Sequence, residues 1–267
     1  MSINVLPEKK PVECSFSFDH YRHILATALE SGYQFCSFGE GSKQDGQVCV
    51  LRHDIDYTSE RILEYAQIES DLGIKSYYFF LLNCPTYNIR EKRNFDIIQR
   101  LKKMGHYIGT HFDLSWEPNA TWDQVVTRFL YEKKLFEMMT EVVPCEIVSF
   151  HNPHKFKDLV LNKTVAGIEH TYEQRYFSDM KYLSDSQGWY EGCVCKVFAE
   201  KRYKKIQLLT HPYIWSHTPQ SNFIGDMAEM LREVSDYATE QLIEGHPVCY
   251  RSKEELRRLT TFPKIPG

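Results

Sequence analysis

The chain has 267 residues, 42% of them hydrophobic and 14% aromatic, with a formal net charge of -4. That length suits one large domain with a full-sized core, such as an α/β barrel folded from a single chain. The mild acidity, with Lys and Arg dispersed, excludes the basic footprint of nucleic-acid binding, and no apolar run reaches membrane-spanning length.

Residues 1–14 carry Glu8, Lys9, Lys10 and Pro11 and no apolar core of the secretory type, so a cytoplasmic location is expected. Over 19–32, Tyr21, Ile24, Leu25 and Leu29 recur at helical spacing and Gly32 stops the helix. A strand is expected over 33–38 and a polar, Gly-rich loop over 39–47. Val48, Val50 and Leu51 then form a buried strand that runs into Arg52-His53-Asp54-Ile55-Asp56. Alternation along an extended chain points Asp54 and Asp56 the same way and His53 the other. A helix follows over about 58–73, capped by Thr58 or Asp56.

Residues 76–82 are continuously apolar and aromatic, as in a strand buried on both faces of a parallel sheet. A helix over 91–104 ends at Gly105, and the short strand Tyr107-Ile108-Gly109 leads to His111. Thr121 and Gln124 form a capping box that opens a long helix with Val125, Phe129 and Phe136 inward. Strand 147–150 ends at His151. Short strands and loops are expected over 155–205, where Cys193 and Cys195 lie one residue apart, unlike a CxxC pair. The eight cysteines are scattered, which suits reduced, mostly buried thiols. Strand 206–209 ends at His211, and the last helix covers about 221–244. Strand and helix alternate and the strands are of the buried type, which predicts an α/β fold: a distorted (β/α) barrel with mainly parallel strands. One domain is expected over 1–267, with an N-terminal helix and strand (1–47), a core bearing the motifs (48–216) and a C-terminal helix and tail (217–267).

Four apolar strands end in His or Asp clusters: at Arg52 to Asp56, at His111-Phe112-Asp113, at His151-Asn152-Pro153-His154 and at His211. In a parallel barrel these ends share one rim. A charged cluster at the end of a buried strand is costly unless a metal or paired hydrogen bonds compensate it. Oxygen and nitrogen donors with no cysteine beside them suit Zn²⁺ or a similar divalent ion in an open site.

These stretches resemble the NodB-homology polysaccharide deacetylases, metal-dependent N-deacetylases on a distorted (β/α) barrel. His53-Asp54-Ile55-Asp56 is similar to the H-D-x-D variant of the first motif, and Gly105-His106-Tyr107-Ile108-Gly109-Thr110-His111 to the second. His151-Asn152-Pro153 falls on the third, Asp185 and Trp189 on the fourth, and Leu208-Leu209-Thr210-His211 on the fifth. The chain departs from the pattern in three places. The family's second metal His falls on Ser115, its third-motif Arg on His151 and its second Asp on Ile55.

The resemblance implies Asp54 as general base and His211 as acid. Side-chain chemistry then gives Asp56, His111 and His151 as the metal triad, with His154 or Asp113 as alternative donors. Arg52 is expected to orient the site by pairing with Asp185, unless it is a charge at a strand end. Trp189 and Trp215 stack on a sugar face or pack in the core, and His53 is a supporting donor. His106 reads as structural, and His20 as a surface or satisfied residue. The implied substrate is an N-acylated amino sugar or glycan, a cytoplasmic precursor of a surface polysaccharide such as lipopolysaccharide. A non-catalytic carbohydrate-binding module and an amide hydrolase acting on a small non-sugar metabolite are the alternatives. Oligomeric state is not legible in the sequence.

Overall fold

A computed structural model of the chain describes residues 15–58, 60–116, 119–153, 164, 167–186, 188–189, 192–219 and 223–261. In chain order its elements are α1 (Phe18–Glu30), β1 (Gln34–Phe35), α2 (Phe38–Lys43), β2 (Val48–Ile55), α3 (Arg61–Asp71), β3 (Tyr77–Leu81), α4 (Lys92–Lys103), β4 (Tyr107–Asp113), α5 (Trp122–Thr140) and β5 (Ile147–His151). Then come β6 (Glu169–His170), α6 (Gln174–Phe177), β7 (Lys181–Ser184), α7 (Val194–Ala199), β8 (Lys205–Thr210), α8 (Phe223–Gly245), α9 (Pro247–Arg251) and α10 (Lys253–Thr260).

The strands pair in the order β6-β5-β4-β3-β2-β8-β7, and every pairing is parallel. β1 joins the sheet beside the first residues of β2. Every residue of β2 and of β3 is buried, as their unbroken apolar runs require of strands covered on both faces. In a flat sheet β2 and β5 would lie three spacings apart, about 14 Å. Yet the Ser149 hydroxyl of β5 donates to Asp54 of β2 at 3.0 Å. The sheet therefore curls into a half-barrel, which is the distorted (β/α) barrel expected. Its two edge strands do not pair, and Gln207 of β8 spans that side by donating to the carbonyls of Thr171 and Tyr176 at 3.1 and 2.7 Å.

Packing inside the barrel explains one glycine. A Cβ at Gly109 of β4 would lie 2.5 Å from the Phe79 ring and 2.8 Å from the Cys145 sulfur, so the inward aromatic of β3 requires a bare backbone beside it. At the end of α4, Gly105 adopts φ +90°, the left-handed turn that stops a helix.

Five local expectations are corrected. The loop expected over 39–47 contains α2, because Ser37 and Glu40 close a capping box that its glycines disguised. The strand expected over 33–38 is accordingly only β1. Helix α3 starts at Arg61 with Glu60 as its N-cap and no side-chain cap bond, so neither Thr58 nor Asp56 caps it. The C-terminal tail forms α9 and α10, and the stretch expected as strands and loops contains α6 and α7. Among the described residues no helix is long and apolar enough to cross a membrane.

Candidate functional site

The parallel register brings the polar strand ends together. His111 pairs with Ser149 and Asp113 with His151 across β4 and β5, while His53 pairs with Thr210 across β2 and β8. Paired residues of a parallel ladder share a face, so β4 and β5 send His111 and His151 to the same mouth.

Three donor atoms meet there. His151 Nδ1 and His111 Nε2 lie 3.1 and 3.3 Å from Asp56 Oδ1, and 3.2 Å from each other. Asp56 Oδ1 is buried yet has no hydrogen-bond partner, although two ring nitrogens are close. A divalent ion about 2.0–2.1 Å from three tetrahedral donors spaces them about 3.3–3.4 Å apart. The triangle and the donor chemistry of one carboxylate and two imidazoles fit such an ion. Asp56 and His151 keep 17% and 27% of their side chains exposed, so the centre is open on one side, as a catalytic site requires. Burial works against charge on Asp56, but the His111 and His151 rings outweigh it and hold its pKa well below the usual carboxylate range.

Asp54 lies under this triangle on β2. Its Oδ1 accepts from Ser149 and lies 3.4 Å from the Arg52 guanidinium, and its Oδ2 faces His111 Nε2 at 3.9 Å. Arg52 is wholly buried. It donates to Ser149, Thr171 and Tyr172 at 2.5, 2.8 and 3.0 Å and lies over the Tyr172 ring. It does not pair with Asp185, and it is no surface charge.

Asp185, just after β7, serves His211 instead. Its Oδ1 takes His211 Nδ1 at 2.6 Å, while its Oδ2 accepts from the His211 backbone N–H and from Trp215 Nε1, both at 2.9 Å. His211 Nε2 is thereby turned toward Asp56 Oδ2, 3.8 Å away. Burial opposes the charge on His211, but Asp185, with Asp56 and Asp54 behind it, lifts its pKa to about 9.

Other expectations fall differently. Trp215 is completely buried, so it supports Asp185 and cannot stack on a sugar. Trp189 is half-buried against Phe16 and Trp215. His53 faces away from the mouth and joins Glu69 at 2.7 Å and Thr210 at 2.9 Å. Ile55 packs outward into the helix layer. Asp113 Oδ1 accepts from the Ser115 N–H and hydroxyl, each at 2.7 Å, so both are engaged with one another. His154 lies outside the described residues. Sequence reasoning missed Tyr57 and Tyr213, whose rings meet edge to face at 4.9 Å beside Asp56. It also missed Ser149, although a hydroxyl inside an apolar strand, two residues before His151, was a legible signal.

No family model matches the chain, and no curated protein matches it. Solved structures similar to it include the Streptococcus pyogenes deacetylase PplD in complex with acetate. That match has 13% identity over 52% of this chain and 66% of that one, with a TM-score of 0.40. The chitin deacetylase from the fungal pathogen Colletotrichum lindemuthianum matches at 14% identity over 71% and 83% of the two chains, TM-score 0.40. BA3943 of Bacillus anthracis, a CE4 family pseudoenzyme, matches at 10% identity over 72% and 62%, TM-score 0.39. The chain thus spans just under two thirds of the first and third of these proteins.

Proposed function

We propose that the chain is a metal-dependent N-deacetylase that hydrolyses the acyl amide of an amino sugar. The observation that carries this reading is the Asp56–His111–His151 triangle around an orphaned carboxylate oxygen, with a second carboxylate and an imidazole beside it. When bound, a divalent cation supplies Lewis acidity to the acyl carbonyl and makes water acidic enough to attack near neutral pH. Asp54, fixed through Oδ1 by Arg52 and Ser149, takes the water proton on Oδ2. His211, kept protonated by Asp185, gives a proton from Nε2 to the departing nitrogen as the C–N bond breaks. The products are a carboxylate and a free amine. Half-buried Tyr57, backed edge to face by buried Tyr213, offers a ring at the mouth against which a sugar can pack. A cytoplasmic surface-polysaccharide precursor is the proposed substrate class, and the acyl group is acetyl.

The test is acyl release from a panel of N-acetylated amino sugars, run with metal analysis on the same samples. Asp54→Asn is expected to keep its cation and lose about 10²–10⁴-fold in turnover. A cation-loaded parent that releases no acyl group, with both proteins binding glycan equally, would leave a carbohydrate-binding module instead.

A further inference from the structure

A second group of donor atoms lies outside the mouth. His20 of α1 and Cys193 and Cys195 of α7 and its N-cap are all buried, and one donor atom from each falls within 4.8 Å of the others. Cys193 Sγ lies 3.1 Å from His20 Nε2, and Cys195 Sγ lies 3.0 Å from Cys193 Sγ. The other ring nitrogen, Nδ1, bonds the Ser15 carbonyl. The Ser15 N–H also lies 3.1 Å from Nδ1; with the proton on Nδ1, the tautomer that serves the carbonyl, the Nε2 lone pair faces sulfur. A histidine anchored through one nitrogen to a backbone carbonyl, with the other aimed at further donors, has the arrangement of a metal ligand.

We infer that His20, Cys193 and Cys195 form a second cation site, selective for a soft ion such as Zn²⁺ or Cu⁺, separate from the Asp56 centre. Two thiolates and an imidazole are the donors such ions prefer, whereas the carboxylate–imidazole triangle at the mouth has no sulfur. A cation about 2.3 Å from both sulfurs holds them about 3.7 Å apart, so the pair opens by under an ångström as the thiol protons leave. Binding then ties α1 to α7. The His20 ring lies 6.2 Å from that of Trp215, whose indole N–H holds Asp185, so the tie supports the acid arm of the mouth from behind.

The test uses the full chain, loaded with Co²⁺ and, separately, with Zn²⁺. Co²⁺ is expected to give a thiolate-to-cobalt charge-transfer band in the near ultraviolet. Only sulfur ligation produces that band, so its appearance does not depend on the Asp56 centre or on any activity. Native mass spectrometry is expected to find one Zn²⁺ fewer in Cys193→Ser/Cys195→Ser than in the parent. Should that pair of substitutions prevent folding, His20→Gln is expected to weaken the band while leaving both sulfurs in place. Absence of the band, with Zn²⁺ content unchanged in a folded variant, overturns the site. So does a parent that takes up no soft ion and loses two hydrogens to oxidised glutathione, which would make the pair a disulfide-forming dithiol.

Discussion

Arg52 shows how much a single side chain does in this protein. It is buried without exposure, and its charge is met by Asp54, three hydroxyl groups and the face of Tyr172. Removing one partner of such a pair leaves the other uncompensated, at a cost of about 3–5 kcal/mol. Arg52→Met is therefore expected to lower stability by that amount in urea denaturation. A loss under about 1 kcal/mol would mean that Asp54 finds another partner. The same residue marks the limit of what the sequence told. Alternation along β2 was enough to set Asp54 and Asp56 on one face and His53 on the other. The partners of Arg52 come from β5 and from the turn after β6, across the curl of the sheet, and spacing carries no information about that closure. Asp185 was likewise recognisable as a site residue, but its pairing with His211 was not. The pKa of His211, about 9 against an ordinary 6.5, makes that pairing testable. An acid must hold its proton, so activity is expected to fall as pH rises through about 9. Asp185→Asn should move this alkaline limb downward, and a limb left in place would remove His211 from the role. The stability contribution runs the same way: it is complete below the unfolded pKa of 6.5 and lost as pH passes about 9.

Among the elements, β4 carries a tight packing constraint. Gly109 has the Phe79 ring where a side chain would begin, and it lies two residues before His111 on the same face. Gly109→Ala is expected to cost about 1–3 kcal/mol through overpacking. Because the strain falls beside a donor of the triangle, cation affinity should drop as well. Thermal unfolding with and without added Zn²⁺ measures both, and an unchanged Tm would show that Phe79 moves aside freely. Elements were readable where one signal dominated. Thr121 and Gln124 announced the start of α5, and the unbroken apolar runs announced β2 and β3. Signals that competed misled. Three glycines over 39–47 outweighed the Ser37–Glu40 box that starts α2. The polar cluster after β2 looked like a helix cap, although tertiary packing recruits Asp56 to the mouth and leaves α3 to begin without a side-chain cap.

For the molecule as a whole, buried charge sets the response to acid. Glu69 has no exposure and is surrounded by His53, His106, Ser76, Tyr21 and Tyr78. Burial opposes its charge, but His53 and then His106 overcome that and lower its pKa. Burial also lowers the pKa of His106, with Glu69 offsetting part of the effect. Below pH 6.5 the unfolded chain takes up a proton that folded His106 refuses, and below pH 4.5 it takes up another that folded Glu69 refuses. Stability is therefore expected to decline from about pH 6.5 downward, more steeply below 4.5, as urea midpoints across that range would report. His106→Gln should reduce the upper part of the decline, to which buried His20, also shifted below 6.5, contributes the rest. A midpoint constant from pH 7 to 4 would contradict the account.

One further consequence follows from Asp54 and Asp56 sharing a face of β2 with Ile55 turned outward between them. Adding or deleting a single codon between Arg52 and Asp54 would reverse the facing of every residue beyond the change. Two anions would enter the oily layer beneath the helices, and isoleucine would sit where the cation is held. Length between these positions should thus tolerate change far less than the identity of any exposed residue nearby, a contrast that a systematic indel library would expose.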